Sequence, residues 1–233
     1  MRQHRDQYYL EVIMKLNIQY KSDMVSTNID GKRRYVTPEG NSYLSMTTVL
    51  AEYGKEGLQK WIDAVGVVEA DRIKNKAGQF GTALHNLAEQ HILGQPIEFG
   101  HNLELKRRFK SVQECIDTRF GDVYALETPL YSDQLKIAGR CDVIGQFDGV
   151  NSVIDFKQAN NEKRKEWIHS YFYQTSGYGY MFAERTRRID LIPKQVVIII
   201  SPADGILQVF KEPIKPWFIE FLKYLEDIGH ETA

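Results

Sequence analysis

Residues 139–157 have the sequence GRCDVIGQFDGVNSVIDFK. It contains two runs rich in β-branched and aromatic residues, separated by the dipeptide Asp148-Gly149. This dipeptide favours a tight hairpin turn. We therefore predict two neighbouring antiparallel strands over 137–147 and 152–156, because the turn is too short for the crossover that parallel strands need.

The rest of the chain alternates between helical and strand patterns around this hairpin. Upstream, we predict a small hairpin of 34–36 and 42–44, helices over 47–93 broken near Gly54 and at Ala77-Gly78, a helix over 103–120 and a strand over 123–131. Downstream, we predict a helix over 165–185, strands over 196–201 and 206–210 around a turn at 202–205, and a helix over 216–228. The order predicts an α/β fold with a mixed central β-sheet flanked by helices.

No internal repeat, low-complexity tract or Pro/Gly/Ser-rich linker divides the 233 residues. We therefore predict a single domain over 1–233. Residues 1–30 are polar and show no clear periodicity, so we expect an irregular N-terminal extension there. The predicted core covers about 45–212, and the helix over about 216–228 closes the chain.

The composition is that of an ordinary soluble globular protein, with 42% hydrophobic and 26% charged residues. The longest aliphatic run, 196–200, is far shorter than the roughly 18 residues of a membrane span, and no secretory signal is visible. The net charge of −1 disfavours nucleic-acid binding by bulk charge alone, but it allows a local basic path beside an acidic site. The chain has only two cysteines, too few for a four-cysteine iron–sulfur site, and we expect an intracellular protein.

Two acids and one lysine lie close together in the predicted hairpin. Asp142 is inside the first strand, Asp155 ends the second, and the period-2 alternation of a strand puts Lys157 on the same face as Asp155. Two carboxylates 4 Å apart repel by about 4 kcal/mol at an effective dielectric of 20, so a cation or a proton must lie between them. Carboxylates suit Mg²⁺ or Mn²⁺, which also bind phosphate, and this indicates a phosphodiester hydrolase. The alternative is that all three are solvated surface residues.

Several motifs in the same order resemble the RecB-like branch of the PD-(D/E)XK nuclease superfamily. They are Gly-Arg-Cys-Asp142, Ile-Asp155-Phe-Lys157, Gln174-X-X-X-Tyr178 and, upstream, Gly-Thr-Ala-Leu-His85. The resemblance covers about 45–210 and extends to the subgroup of the mitochondrial genome maintenance exonuclease and related phage exonucleases. It implies a restriction-endonuclease-like core.

The resemblance also implies roles for individual residues. Asp142 and Asp155 match the metal carboxylates of the family and Lys157 its catalytic lysine, while the Phe156 backbone carbonyl and His85 match further ligands of Mg²⁺, with Mn²⁺ as a substitute. Without the family, a histidine on a helix is more often a packing or capping residue. Two further acids, Glu89 and Glu127, are candidates for contacts with the ligands of the metal or for binding a second metal. Four residues are candidates for positioning DNA: Arg140, Tyr171, Gln174 and Tyr178.

An aromatic stripe follows the predicted site. Trp167, Tyr171, Gln174 and Tyr178 fall at i, i+4, i+7 and i+11, which is one face of a helix. Such a stripe is more often part of the core, but a buried glutamine needs hydrogen-bond partners. The alternative is that the aromatic rings, together with Phe172 and Tyr173, stack on unpaired bases.

The resemblance implies a metal-dependent DNA exonuclease that prefers single-stranded DNA ends. The sequence leaves three alternatives: an endonuclease of the same fold, an inactive nucleic-acid-binding relic, and a hydrolase of another phosphoester. We expect no iron–sulfur cluster, because the two cysteines are too few for one. We expect no ATP binding, because no Walker A pattern occurs. A helicase or a single-strand-binding protein is a candidate partner. The compartments that fit are the cytoplasm of a bacterium or phage-infected cell and the mitochondrial matrix.

Overall fold

An eight-stranded sheet with helices on both faces forms the centre of the protein in the computed structural model, which describes residues 15–204 and 206–233. Its strands are β1 (Ser26–Ile29), β2 (Lys32–Val36), β3 (Ser42–Ser45), β4 (Phe120–Ser132), β5 (Ile137–Phe147), β6 (Val150–Ala159), β7 (Gln195–Pro202) and β8 (Gln208–Pro213). Its α-helices are α1 (Met46–Val49), α2 (Lys55–Val65), α3 (Val67–Ile92), α4 (Leu103–Arg119), α5 (His169–Thr186) and α6 (Ile214–Asp227).

The sheet is mixed, as predicted. Its order is β1-β2-β3-β5-β6-β7-β8, with β4 paired to β5. The β3–β5 and β6–β7 pairs are parallel, and the other pairs are antiparallel. The α/β class and the mixed central sheet flanked by helices are therefore confirmed.

Strand β5 forks the sheet. Along one edge it pairs with β4 from Ile137 to Phe147. On its other edge, β6 pairs with the half from Val143 onward, and β3 pairs only with Ile137 and Ala138. Within the described ranges, residues 139–142 thus have no registered strand partner on this edge. Their polar groups need other partners there, and side chains from neighbouring elements can enter the gap.

Two apolar layers cover the sheet. Ile144 and Val153 pack on one face with residues of α5 and α6, and Ile154 and Phe156 pack on the other face with residues of α3 and α4. Two glycines let α5 lie close to its neighbours, since a Cβ at Gly177 would collide with Met46 and one at Gly179 with Ile214. None of the helices in the described ranges is long and apolar enough to cross a membrane.

The predicted helix break at Ala77-Gly78 is wrong. Helix α3 runs without interruption from Val67 to Ile92, and the chain breaks instead at Gly66, where φ is 84° and ψ is 147°. Glycine adopts this conformation readily, whereas residues with a Cβ do not. Gly78 lies inside the helix because a single glycine weakens a helix without ending it.

Other boundaries shift at the ends of the chain. The segment 1–30 was predicted to be irregular, yet β1 lies within it and pairs with β2; residues 1–14 lie outside the described residues. The last hairpin begins its second strand at Gln208 rather than at Ile206, and Gly205 of its predicted turn is likewise outside the described residues. The closing helix covers Ile214–Asp227, close to the predicted 216–228.

Candidate metal centre

Three carboxylates lie level with one another across β4, β5 and β6. The pairs Leu126–Val143 and Thr128–Cys141 bracket Glu127, so Glu127 lies opposite Asp142. On the other side of β5, the pairing with β6 ends at Val143–Ile154, so Asp142 and Asp155 are the next residues of the two strands, at the opening of the fork. Like charges directly opposite each other destabilise a sheet, so this arrangement requires positive charge beside it.

The backbone at Glu127 is strained. Its φ is +43°, a left-handed conformation that is uncommon for a residue with a side chain, and it occurs in the middle of β4. A conformation of this kind costs on the order of 1–3 kcal/mol and persists only where the surroundings impose it. The strain at Glu127 therefore shows that its surroundings hold the backbone in this conformation.

Asp142 fills the fork between β5 and β6. Its Oδ2 atom accepts a hydrogen bond of 2.8 Å from the backbone N–H of Phe156, so a side chain occupies the place of a ladder bond. Burial opposes ionisation of Asp142, but the charges of His85 and Lys157 and this N–H lower the pKa of its carboxyl group. The Asp142 carboxylate is therefore held in place and favoured in its ionised form.

Helix α3 brings His85 over the fork. Its Nε2 atom lies 2.8 Å from the Phe156 carbonyl oxygen, while Nδ1 lies 3.4 Å from Asp142 Oδ2 and 3.7 Å from Glu127 Oε1. Burial alone would lower the pKa of His85, but the two carboxylates raise it to about 10. The pocket therefore attracts one cation, which is either this proton or a metal ion.

The donors fit a divalent metal. Ligand atoms of His85, Glu127 and Asp142 all lie within 4.8 Å of one another. Metal-binding histidines commonly donate their second ring N–H to a backbone carbonyl, which is the contact that Nε2 makes with Phe156. The Phe156 carbonyl, which the resemblance gives as a metal ligand, contacts His85, and its role toward a metal stays a prediction. Glu127, for which the resemblance left its place around the metal open, lies in one group with His85 and Asp142.

Asp155 lies beside this group and contacts Lys157. The Lys157 Nζ atom is 2.6 Å from Asp155 Oδ1 and 2.5 Å from Oδ2, so the ammonium group faces both carboxylate oxygens. Burial and the charge of Asp142 raise the pKa of Asp155 to about 6, although Lys157 opposes this. Lys157 is thus the cation that Asp155 contacts, and the metal role of Asp155 stays a prediction.

Helix α5 covers the Lys157 side of the site. The Nζ atom of Lys157 lies 5.2 Å from the centre of the Tyr171 ring, and Gln174 Nε2 lies 3.5 Å from the hydroxyl of Tyr178. Tyr178 is buried against β5, where a Cβ on Gly139 would lie only 2.6 Å from its hydroxyl oxygen. The helix therefore brings to the border of the site the three residues that were predicted to position DNA from it: Tyr171, Gln174 and Tyr178.

A cavity of about 470 Å³ opens onto this group. The predicted residues that line it are His85, Glu127, Arg140, Asp142, Lys157, Gln174 and Tyr178. The prediction of the site omitted other lining residues: Arg33, Tyr35, Ser45, Met46, Thr47, Thr82 and Asn86. Arg33 belongs to the basic run Lys32-Arg33-Arg34, and nothing in the sequence indicated that this run reaches the site.

Four other candidates lie elsewhere. Glu89 is half-buried one turn beyond His85 and does not line the cavity, although the charge of Glu127 adds to burial in raising its pKa. Phe172 and Tyr173 are core residues, which leaves neither ring free to stack on a base. Trp167 is 63% exposed, so packing in the core is the wrong interpretation for this residue.

Comparison with known proteins supplies no identity. No family model matches the sequence, and no curated protein matches it significantly. The geometry of the carboxylates, His85 and Lys157 therefore carries the functional argument.

Proposed function

We propose that this chain is a Mg²⁺-dependent deoxyribonuclease of the PD-(D/E)XK type that digests DNA from free ends and prefers single strands. The observation that carries the proposal is the row of Glu127, Asp142 and Asp155 across three strands, with His85 and Lys157 beside it. Oxygen-rich sites of this kind favour Mg²⁺, and Mn²⁺ substitutes for it.

The residues divide into ligands and a positioning cation. Asp142, Glu127 and the Nδ1 atom of His85 would hold the metal. Asp155, whose carboxylate faces Lys157, would be a further ligand. When bound, the metal polarises a phosphoryl oxygen and makes a coordinated water more acidic. Burial opposes the charged form of Lys157, but Asp155 and Asp142 raise its pKa, so Lys157 keeps its charge for orienting a phosphate or the attacking water.

The surroundings favour a single DNA strand as substrate. Arg33 and Arg140 line the cavity with Lys157, which gives a phosphate backbone three cations beside the acidic group. Outside the cavity, Trp167 is exposed and the Arg164 guanidinium lies 5.3 Å from its ring centre. An exposed ring of this kind can stack on an unpaired base, a contact worth about 1–3 kcal/mol.

The test is digestion of end-labelled single- and double-stranded DNA with Mg²⁺, Mn²⁺ or EDTA. We expect Asp142→Asn, Asp155→Asn and Lys157→Met each to lower the rate by at least about 10³-fold, because catalytic groups that act together give large losses. Asp190→Asn is the control, since this exposed aspartate lies outside the cavity. Circular dichroism should show all four variants folded.

A second substrate pair tests the mode of cleavage. We expect linear single strands to be shortened while covalently closed circles of equal length persist. Comparable cutting of the circles would identify an endonuclease. Binding of DNA without hydrolysis under any metal would identify an inactive relic, and hydrolysis confined to small phosphoesters would identify a different phosphoesterase.

A further inference from the structure

One exposed face of α3 carries a row of polar side chains. Asn75, Gln79, Thr82 and Asn86 recur at i, i+4, i+7 and i+11, and all four are exposed. At 3.6 residues per turn this spacing keeps them on one side of the helix. With Lys74, Gly78 and Ala83, they line a shallow groove, which we call the α3 groove.

The α3 groove opens directly into the metal cavity. Thr82 and Asn86 line both, and they flank His85 on the same helix. From Lys74 to Asn86 the groove is about 18 Å long at 1.5 Å per residue. That length spans at most about five nucleotides at the 3.4 Å rise of a DNA strand.

The polar groups of the groove are available to a ligand. In the ranges 15–204 and 206–233, the side chains of Asn75, Gln79, Thr82 and Asn86 form no hydrogen bond with another protein group. Amide and hydroxyl groups are common donors to phosphate oxygens, and contacts of this kind position a strand without reading its sequence. Lys74, whose Nζ atom lies 3.8 Å from Asp71, adds a cation at the far end.

Gly78 leaves the surface of α3 open. It lies inside the helix with a helical backbone, and a Cβ there would meet no atom within 4 Å. Gly177 and Gly179, in contrast, are required by neighbours that a Cβ would strike. Because glycine has no Cβ, a ligand can approach the helix backbone closely at Gly78, which lies among the residues that line the groove.

We propose that the α3 groove is the track on which the sugar-phosphate backbone of a single strand lies as it leads to the metal centre. This inference rests on the proposed nuclease function. It adds a surface that binds the part of the strand distant from the bond that is cut. It predicts that the groove contributes to the binding of oligonucleotides but not to the chemical step.

The decisive variant is Gly78→Ala, which should stabilise the protein and weaken substrate binding at once. We expect Tm to rise by about 2–4 °C, because alanine is the better helix residue. We expect the Kd for fluorescein-labelled dT12, measured by anisotropy in EDTA, to rise at least fivefold, and KM for dT12 to rise with kcat unchanged. Gly57→Ala in α2 is the matched control, since its Cβ also meets nothing within 4 Å, and it should leave Kd unchanged.

The second variant removes donors instead of adding a methyl group. Asn75→Ala combined with Gln79→Ala should weaken the binding of dT12 at least fivefold and leave hydrolysis of bis(p-nitrophenyl) phosphate unchanged, because that small diester does not reach the groove. If the wild type is active but Kd and KM for dT12 are unchanged in both groove variants, the proposal that the α3 groove binds the strand is wrong, and the proposed nuclease function is unaffected. A wild type that hydrolyses neither substrate would overturn the proposed function instead.

Discussion

Asp142 has acidic neighbours on both sides in the sheet, and the two neighbours are used differently. Glu127 turns toward His85 through a strained backbone, whereas Asp155 is held by Lys157. This asymmetry groups Glu127 with His85 and Asp142, and Asp155 with Lys157. Under the proposed function, Glu127 would hold the metal and Asp155 would connect the metal to the lysine.

We predict that Glu127→Gln weakens the binding of Mn²⁺ by at least about tenfold, because a ligand carboxylate beside His85 and Asp142 is lost. Glu89→Gln is the matched control, since Glu89 does not line the cavity. Its affinity for Mn²⁺ should stay within twofold of wild type. Isothermal calorimetry measures both values, and equal losses in the two variants would contradict the assignment.

We predict that Gly139→Ala destabilises the protein by about 1–3 kcal/mol and lowers activity, because the new Cβ would lie 2.6 Å from the Tyr178 hydroxyl oxygen and 2.8 Å from its ring. Tyr178→Phe removes the nearer contact. The double variant should therefore lose less stability than the sum of the two single variants in urea unfolding. Strictly additive losses would show that Gly139 and Tyr178 do not interact.

At the scale of elements, α3 connects the metal centre to its surroundings. Its last turns carry Leu84 and Leu87 into the core and present His85 to the fork. Its first half lies mostly at the surface and begins at Gly66, which separates it from α2. Gly66 and Gly78 differ in backbone conformation, because Gly66 has a positive φ and Gly78 is helical.

We predict opposite signs for two identical substitutions. Gly66→Ala should destabilise the protein by about 1–3 kcal/mol, because φ of 84° with ψ of 147° is open essentially to glycine alone. Gly78→Ala should stabilise it by up to about 1 kcal/mol, because Gly78 is helical and unobstructed. Thermal unfolding of the two variants checks this, and equal shifts in Tm would mean that the break is misplaced.

At the scale of the whole molecule, Asp148 connects three distant elements. It lies in the turn between β5 and β6, where it contacts Arg119 of α4 at 2.6 Å and Lys211 of β8 at 2.8 Å. Hydrogen bonding to Arg119 lowers the pKa of Asp148 to about 2. Because the folded state lowers this pKa, the contribution to stability is present above pH 4 and is lost as pH falls toward 2.

We predict that Asp148→Asn lowers Tm by about 1–4 °C at pH 7 and low salt, since partly exposed ion pairs contribute little each. The difference from wild type should narrow as pH falls from 4 toward 2. Asp190→Asn, which removes a more exposed pair with Arg188, is the control and should have a smaller effect. A Tm difference that stays constant down to pH 3 would contradict the mechanism.

The sequence by itself determined the local features of this protein. Alternation and the Asp148-Gly149 turn were sufficient to predict β5 and β6 as neighbours, and hence the proximity of Asp142, Asp155 and Lys157, because these relations depend on spacing along one hairpin. The hydrophobic periodicity was likewise sufficient for the α/β class and for most helices.

How the distant residues reach the candidate site depends on the tertiary structure. The position of Glu127 depends on the register of β4 and on a left-handed backbone, and that of His85 on how α3 packs over the fork. The entry of Arg33 into the cavity depends on the pairing of β2 and β3 with the rest of the sheet. The register of the strands and the packing of the helices depend on burying the apolar residues of both sheet faces at the same time. The spacing of residues within one segment does not contain this information.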